Sequence, residues 1–539
     1  MTPTPIARQR VPDILECLAQ LSNDEVPTLP KLANSMLDLL PPEVWQAPDY
    51  RWLDPCSKSG VFLREIAKRL LFEGLVEWEP DFKKRREHIF GKMIFGCGVT
   101  ELTGIISRRT VYYSRHAAGE HSVVKFDSDD GNIPFVRGEH DFKQRRCRIC
   151  GAPEELERGG GRENYAYAFI HGAYPTEEMA EMKFDVIVGN PPYQIGMQDA
   201  VGNRTANITP LYQMFVDRAI RMDPRYLVMI TPSRWFTGGK GLGEFRERMI
   251  SDRRLRKIVD NPRIFDCFPT AKIRGGVNYF LWDRDHAGDC EVSTRVSGEL
   301  LSTAIRDLRE GDGVVVRDNR AAAIVQKVKQ REPSSLAELV SPMDPFGQSL
   351  KTNYKNAAAE PFEGAIPLVF GTKVGYLRPE QLERRRDWVD RWKVLLPKAS
   401  SGDTPVDQDG NIVDVVLGAP IGLAPGSACT QTYLVAGVFD SAPEAENYAY
   451  YLATKFVRFL VLQRKATQDV TPDRFKFVPM LDMSRRWNDA DLYRYFGLSD
   501  EQGAYIETSI TPRSVNLSLD SPIPASHLPG GEKFRTATP

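Results

Sequence analysis

The tetrapeptide Asn190-Pro191-Pro192-Tyr193 follows the apolar run 184–189 and carries the most specific chemical signal in the sequence. The Asn190 side-chain oxygen and the Pro191 carbonyl are hydrogen-bond acceptors, and the two prolines restrict the backbone that presents them. Two acceptors aimed at the hydrogens of a ring-conjugated amine would draw its nitrogen towards tetrahedral geometry and free the lone pair. Tyr193 offers a flat face on which an extruded base could stack. The motif therefore predicts a site that activates an amine for group transfer.

The loop after the first predicted strand has the composition of a cofactor-binding turn. It begins with Asp54 and Pro55 and ends with Ser59 and Gly60, about 130 residues before Asn190. Small residues at a strand-to-helix turn let the backbone approach a ligand. An ordinary turn can have the same composition. The loop indicates a cofactor site only in combination with the tetrapeptide that follows a second strand.

Short apolar runs predict the elements that position both motifs. The runs are residues 51–53, 93–95, 184–188 and 226–230, with a further short strand predicted at 167–170. Continuous apolar runs without alternation are typical of parallel strands that are covered on both faces. Strands that alternate with helices predict a doubly wound, Rossmann-like α/β domain, with its chemistry at the carboxyl ends of the strands.

The pattern along the chain predicts two domains and a tail. Residues 1–290 form the α/β domain, interrupted by a polar insertion at about 112–165. Residues 291–515, with short strands and one amphipathic helix at 444–465, form a second domain of α+β type. Residues 516–539 have the composition of a disordered tail.

Composition restricts the class of protein. The chain has 539 residues and a formal net charge of -1, so any affinity for nucleic acid must come from a local basic face. Residues 246–257 and 384–386 are the candidate basic clusters. No apolar run approaches the ~18 residues that span a bilayer, and no signal peptide is recognisable. Scattered cysteines predict a reducing, cytoplasmic location without membrane partners.

Cys147 and Cys150 form a CxxC pair within the insertion, and His140 lies seven residues before it. Cys and His are the usual ligands of structural zinc, which takes four. His116 and His121 lie in the same insertion. A CxxC pair without a metal is the alternative interpretation. The sequence predicts structural zinc with Cys147, Cys150 and His140 as ligands and leaves the fourth ligand open.

Taken together, these motifs resemble the amino-methylating DNA methyltransferases of bacterial restriction–modification systems. The order of cofactor loop, Asn-Pro-Pro-Tyr motif and C-terminal target-recognition domain is the gamma order of TaqI-type enzymes. The resemblance covers residues 25–285 by motif and extends more loosely to about 513. It implies methyl transfer from S-adenosylmethionine to the N6 amine of adenine in double-stranded DNA, and a restriction endonuclease as a possible partner.

The resemblance also implies roles for individual residues. Asp54, Pro55, Ser59 and Gly60 would bind the cofactor, although Lys58 stands where the family usually has a glycine.

Outside that loop, Thr28 and Pro30 lie where the family contacts the methionine part of the cofactor. Glu101 is the acidic residue closest to the slot at Gly98 from which the family binds the ribose hydroxyls. Phe268 matches the aromatic residue that clamps the flipped adenine opposite Tyr193.

Three alternatives remain open at this point. Methyltransferases that act on glutamine side chains of proteins carry the same tetrapeptide, but the large C-terminal domain favours DNA. Methylation of cytosine N4 usually goes with Ser in place of Asn before the prolines. A catalytically impaired DNA-binding subunit would fit Lys58 and the missing acid at Gly98.

Overall fold

The computed structural model describes ten segments of the chain: residues 28–152, 154, 166–172, 182–195, 209–239, 241–269, 275–371, 373–398, 416–465 and 469–524. The chain divides into two compact units, residues 1–309 and 310–539. The first unit extends past the predicted boundary at residue 290 because the next two strands join its sheet. Most of the predicted disordered tail lies outside the described residues.

The strands of the first unit form one large sheet and three two-stranded sheets within the described residues. In chain order they are β1 (Trp52–Ser57), β2 (Ile94–Gly98), β3 (Arg137–Gly138), β4 (Phe142–Lys143), β5 (Arg146–Cys147), β6 (Ala166–Tyr167), β7 (Val186–Gly189), β8 (Gln194–Ile195), β9 (Thr209–Pro210), β10 (Tyr226–Pro232), β11 (Leu255–Asn261), β12 (Val277–Asp283), β13 (Cys290–Val296) and β14 (Glu299–Arg306). The large sheet has the order β14-β13-β11-β12-β10-β7-β1-β2.

The centre of this sheet is parallel and doubly wound, which confirms the predicted fold class. β1 pairs in parallel with β2 on one side and with β7 on the other, and β7 pairs in parallel with β10. The chain leaves β1 towards β2 and returns on the opposite side at β7. The crevice for a ligand therefore lies at the carboxyl ends of β1 and β7. β12 runs antiparallel to both of its neighbours, so the sheet is mixed.

Most helices of the first unit bury an apolar face, whereas the one buried residue of the helix Phe82–His88 is Arg85. They are α1 (Pro30–Leu37), α2 (Val61–Arg69), α3 (Phe82–His88), α4 (Glu101–Tyr112), α5 (Ala168–His171), α6 (Tyr212–Arg221) and α7 (Gly243–Ser251). In α2, for example, Leu63 and Ile66 are buried, and Lys68 and Arg69 stand in the last turn, where positive charge suits the helix dipole.

The prediction of a third strand at residues 167–170 is wrong. Ala166 and Tyr167 form the short β6, but the chain then turns into α5, which ends at the left-handed Gly172 (φ 75°). The outer edge of β2 is occupied instead by the insertion, because Gly96 and Gly98 donate backbone hydrogen bonds to the carbonyls of residues 132 and 134, both at 2.9 Å. No free edge of β2 is left at these positions for residues 167–170.

The second unit contains a three-stranded sheet, β16-β15-β19, and a four-stranded sheet, β20-β17-β18-β21. Its strands are β15 (Ile366–Phe370), β16 (Lys373–Leu377), β17 (Trp392–Pro397), β18 (Ile421–Leu423), β19 (Ala428–Cys429), β20 (Tyr433–Phe439) and β21 (Asn516–Ser518). Its helices are α8 (Asn319–Arg331), α9 (Ala442–Ala453), α10 (Lys455–Leu462), α11 (Asp489–Tyr495) and α12 (Asp500–Ser509).

The single amphipathic helix predicted at residues 444–465 is two helices, α9 and α10. The chain leaves helical geometry at Thr454 (ψ 149°), whose hydroxyl accepts a hydrogen bond from the Val457 amide and so caps α10. Among the described residues of both units, no helix combines the length and the apolar character needed to cross a membrane.

Candidate active site and cofactor pocket

The two predicted motifs lie side by side at the carboxyl ends of β1 and β7. Leu53 pairs with Ile187, so the residues that follow each strand meet at the same edge of the sheet. A Cβ atom added at Gly189 would lie 2.8 Å from the Cys56 sulfur and 3.5 Å from the Asp54 Oδ1 atom. Only glycine lets the strand before Asn190 approach the cofactor loop this closely.

Asn190 is buried and held by a residue from the N-terminal segment. Its Nδ2 atom donates a hydrogen bond to the Thr28 hydroxyl at 3.1 Å, and the side chains are 3% and 4% exposed. In this arrangement the nitrogen end of the amide faces Thr28, whose hydroxyl accepts the hydrogen bond. Thr28 lies two residues before α1, which begins at Pro30. The segment predicted to contact the cofactor therefore contacts the predicted catalytic residue directly.

Tyr193 and Phe268 are in contact, but as an edge-to-face pair. Their ring centroids are 6.4 Å apart and the ring planes make an angle of 72°. Two parallel rings that sandwich a base would stand about 7 Å apart, twice the optimal distance between stacked carbon atoms. Both side chains are buried, and burial raises the pKa of the Tyr193 hydroxyl. A base that enters between them would require one ring to turn.

Asp54 is a buried carboxyl group within β1, three residues before the strand ends at Ser57. Its Oδ1 atom accepts a hydrogen bond from the Cys56 amide at 3.2 Å. Burial raises the pKa of Asp54 to about 7, and the backbone hydrogen bond and the charge of Lys58 oppose this rise only in part. A carboxylate kept from water in this way is stabilised by a nearby cation.

The turn after Asp54 is closed by a contact that the sequence did not reveal. Gly60 has a left-handed conformation (φ 73°), and a Cβ atom there would lie 3.0 Å from both the Cα atom and the carbonyl oxygen of Ser107. The Ser107 hydroxyl lies 2.9 Å from that of Ser57 and also donates to the Lys58 carbonyl at 3.4 Å. Ser107, on α4, thus fastens the loop. The sequence gives one hint of this role: Ser107 is a small residue on the helix that follows β2.

The end of β2 explains the missing acid at the ribose slot. A Cβ atom at Gly98 would lie 2.8 Å from the Gly104 Cα atom, so no side chain fits there. Glu101 is exposed in the first turn of α4, directly after the Thr100 cap. Its position beside the carboxyl end of β2 is compatible with a ribose contact, which stays a prediction.

Four side chains from two segments form a potential metal site, here named the His/Cys cluster: His140, Cys147, Cys150 and His171. Their ligand atoms all lie within 4.8 Å of one another. His171 supplies the fourth ligand that the sequence left open. His116 bonds to Asp129 at 3.0 Å instead.

Several arginines of the two predicted basic clusters form ion pairs or hydrogen bonds with residues of their own unit. Arg248 pairs with Asp217 at 2.6 Å, and Arg254 and Arg256 contact aspartates at 2.8 and 3.0 Å. Arg385 donates to the Pro345 carbonyl at 2.7 Å. Surface pairs of this kind are weak and can exchange for other anions.

Comparison with known proteins places this site in a family. Residues 92–268 match the family model described as Eco57I restriction-modification methylase. An uncharacterized adenine-specific methylase of Mycoplasma pneumoniae is 34% identical over 341 residues, which are 58% of this chain and 80% of that protein. The chain belongs to the adenine-specific methylase family. The resemblance to adenine-specific methylases of restriction–modification systems is confirmed, and the TaqI-type order of motifs stays a prediction. The matched part of the methylase includes Asn190 and ends at Phe268.

Solved structures with partial similarity to the methylase come from restriction–modification systems. The type IIG restriction endonuclease BpuSI has 12% identity and a TM-score of 0.40, over 92% of this chain and 62% of that one. A type I methyltransferase subunit from Streptococcus thermophilus has 14% identity and a TM-score of 0.33, over 55% and 53%. The methylase therefore spans between half and two thirds of the length of these two proteins.

Proposed function

We propose that this methylase transfers a methyl group from S-adenosylmethionine to the N6 amine of adenine in duplex DNA, as the modification component of a restriction–modification system. Membership of the adenine-specific family supports the reaction and the base. The observation that carries the proposal is the pair of buried side chains, Asn190 and Asp54, at the switch point between β7 and β1.

The residues around Asp54 fit the proposed cofactor, which when bound supplies a methyl group on a positively charged sulfur. The buried Asp54 carboxyl, with its pKa raised to about 7, needs a cation to hold its charge. Ser59 and Gly60 form the turn where the cofactor would lie against the beginning of α2. Thr28, which bonds Asn190, and Glu101, in the first turn of α4, are the proposed contacts for the methionine and ribose parts.

The Asn-Pro-Pro-Tyr segment would act on the target base. The Asn190 Oδ1 atom and the Pro191 carbonyl would accept the two hydrogens of the amine, which makes the nitrogen lone pair available. With its Nδ2 atom bonded to the Thr28 hydroxyl, the Asn190 amide would present its oxygen to the base. Tyr193 and Phe268 would contact the extruded ring.

Structural zinc at the His/Cys cluster is the second bound group that we propose. Two thiolates and two imidazoles are a common donor set for structural zinc. Because four protein ligands are present, the ion would have no open position for a substrate and would take no part in the chemistry.

The second unit is proposed to read the DNA sequence, with a restriction endonuclease as a possible partner of the whole chain. Target recognition follows the catalytic domain in the family that the chain resembles, and the second unit offers two small sheets and five helices for it within the described residues.

Sequencing that detects modified bases, on DNA from cells that express wild-type chain or Asn190→Ala, tests the function. We expect N6-methyladenine at one recurrent sequence with wild-type chain and none with the variant. Calorimetric titration with S-adenosylmethionine serves as the control, since the variant should bind it almost normally. Methylated cytosine, or unmodified DNA despite normal cofactor binding and folding of the wild type, would contradict the proposal.

A further inference from the structure

The His/Cys cluster joins the insertion to α5, the short helix that follows it in sequence. His140, Cys147 and Cys150 come from the knuckle, defined here as residues 140–152, and His171 comes from the end of α5. The knuckle lies close to β9, and α5 packs on α6, which follows the residue that bonds the Tyr193 carbonyl. A metal ion bound here would therefore affect the backbone near Tyr193 as well as the stability of the insertion.

The distances within the cluster fit a tetrahedral zinc ion. Zinc–sulfur and zinc–nitrogen bonds of about 2.3 and 2.0–2.1 Å, at the tetrahedral angle, place sulfur and nitrogen about 3.6 Å apart. The Cys147 sulfur lies 3.4 Å from the His171 Nε2 atom, and the Cys150 sulfur lies 3.4 Å from the His140 Nδ1 atom. The His171 Nδ1 atom is 2.9 Å from the Tyr167 carbonyl, a bond that orients Nε2 towards the cluster.

The backbone of the knuckle holds the two sulfurs in place. Gln144 and Arg145 both have positive φ values (52° and 61°), which form a two-residue hairpin turn between β4 and β5. After the second cysteine, Gly151 is left-handed (φ 69°), and its amide donates to the Cys147 carbonyl at 3.0 Å. The Cys147 amide donates to the Ala152 carbonyl at 2.7 Å. The two thiols thus converge through local hydrogen bonds.

On the knuckle side, the cluster lies close to the hairpin that follows Tyr193. A Cβ atom at Gly151 would lie 4.0 Å from the Thr209 methyl group. Thr209 belongs to β9, which pairs with β8, and β8 begins directly after Tyr193. The Gly151 backbone is therefore close enough to β9 for a small side chain to reach it.

On the His171 side, the contact runs through α6. Phe169, in the same short helix as His171, stacks on Phe215 of α6 with centroids 5.7 Å apart and planes at 15°. At the beginning of α6, the Leu211 amide donates to the Tyr193 carbonyl at 3.0 Å. The His171 side of the cluster thus reaches the Tyr193 backbone through these contacts, and the knuckle side lies close to β9.

We propose that a zinc ion bound by His140, Cys147, Cys150 and His171 positions the Tyr193 wall of the target-base pocket. The ion fixes the knuckle relative to α5, and these two elements hold β9 and α6 against the segment after Tyr193. His171 is a positioning residue in this scheme. The effect on the base rests on the proposed function, whereas metal binding and its effect on the Tyr193 backbone do not.

Metal content is the first test. Purified wild-type chain should contain about one equivalent of zinc, and replacement by Co²⁺ should give the intense visible bands of a tetrahedral site with thiolate ligands. His171→Ala should lose most of the metal, His171→Cys should regain it, and His116→Ala, in the same insertion but outside the cluster, should keep it. Wild type without metal, or His171→Ala with wild-type metal content and spectrum, would overturn the proposal.

Hydrogen exchange is the second test and needs no enzyme activity. With His171→Ala, the Leu211 amide and the amides of residues 193–195 should exchange faster than in wild type, while amides of β1 and β10 keep their protection. His171→Cys should restore slow exchange. A uniform loss of protection would show general unfolding, in which case the zinc-loaded His171→Cys chain decides. Unchanged exchange at Leu211 after loss of the metal would overturn the positioning role.

Kinetics then connect the ion to the base. Metal-free His171→Ala should bind S-adenosylmethionine within about twofold of wild type but methylate duplex DNA at least tenfold more slowly, with a smaller fluorescence rise from 2-aminopurine at the target position. If the variant keeps wild-type turnover without metal, the positioning proposal fails. If the wild type binds zinc and cofactor but methylates no adenine, the proposed function fails and the exchange experiment still decides the role of the ion.

Discussion

The Asn190 side-chain amide donates a hydrogen bond to the Thr28 hydroxyl across 162 residues of sequence, and both groups are buried. One residue is proposed to act on the base and the other on the cofactor. A change in the N-terminal segment is therefore transmitted to the catalytic amide, so contacts to the two substrates are not independent in this enzyme.

Thr28→Val should slow methyl transfer through Asn190. Loss of a hydrogen bond worth about 1 kcal/mol would release the amide and lower kcat roughly fivefold. Thr28→Ser keeps the hydroxyl and serves as the matched control. In an Asn190→Ala background the Thr28→Val change should have no further effect on kcat, because its partner is absent. Equal effects in both backgrounds would separate Thr28 from the catalytic amide.

The affinity for S-adenosylmethionine should rise with pH up to about 7. Burial raises the pKa of Asp54 to about 7, so the free site is largely protonated in mildly acidic solution. A cationic ligand favours the ionised form, and its binding should release a proton near neutral pH. Calorimetry in buffers of different ionisation enthalpy measures this release. Asp54→Asn should bind more weakly and lose the pH dependence; an unchanged profile would place the cofactor elsewhere.

The same carboxyl group should cost the free enzyme stability. Because its folded pKa is raised from 3.8, the folded chain binds more protons than the unfolded chain between pH 3.8 and about 7. Stability should therefore fall as pH rises through this range, by up to roughly 4 kcal/mol. Asp54→Asn should unfold at higher denaturant concentration than wild type at pH 8, with little difference at pH 4. Lower stability of the variant at pH 8 would contradict this.

Gly60→Val should damage the cofactor loop more than a generic glycine replacement does. The left-handed backbone and the 3.0 Å approach to Ser107 leave no room for a side chain. We expect a loss of about 2 kcal/mol or more in the free energy of unfolding, measured by denaturant titration, and weaker cofactor binding. Gly91→Val is the control, since a Cβ atom there meets nothing within 4 Å. If both variants lost similar amounts of stability and cofactor affinity, Gly60 would have no special role in the cofactor loop.

Phe268→Ala should reduce stacking on the extruded adenine. Each aromatic face is worth roughly 1–3 kcal/mol, so methylation of paired duplex should slow about tenfold while cofactor affinity is unchanged. The loss should shrink when the target adenine faces an abasic site, where extrusion costs less. Wild-type rates on both substrates would mean that Phe268, which now contacts Tyr193 edge to face, only fills the core.

The centre of the sheet was predictable because β1, β2, β7 and β10 are almost entirely buried, so each strand contains a short apolar run. The Asn-Pro-Pro-Tyr motif and the Asp54 loop followed from these strands, since parallel neighbours end at one edge. Residues 167–170 were misassigned because two edge carbonyls of the insertion already satisfy β2, a long-range pairing that no local pattern encodes.

His171 and Ser107 escaped prediction for a related reason. His171 lies 24 residues from Cys147, farther than the ligands of a compact zinc motif. It comes close to the cysteines because the chain folds α5 back onto the insertion. Ser107 differs from other helical serines only in its approach to Gly60. Both residues act through tertiary contacts, whereas CxxC and the loop glycine are visible because local backbone geometry demands them.

The Arg51 amide bonds the Asp185 carboxylate, 134 residues later, where β1 and β7 begin. Ribosomes add 5–20 residues per second, so β1 waits on the order of ten seconds for its neighbour during synthesis. In that interval an apolar strand has an open edge, a template for pairing with other chains. We therefore expect the yield of soluble enzyme to depend on growth temperature and on chaperone supply more than on the stability of the finished fold.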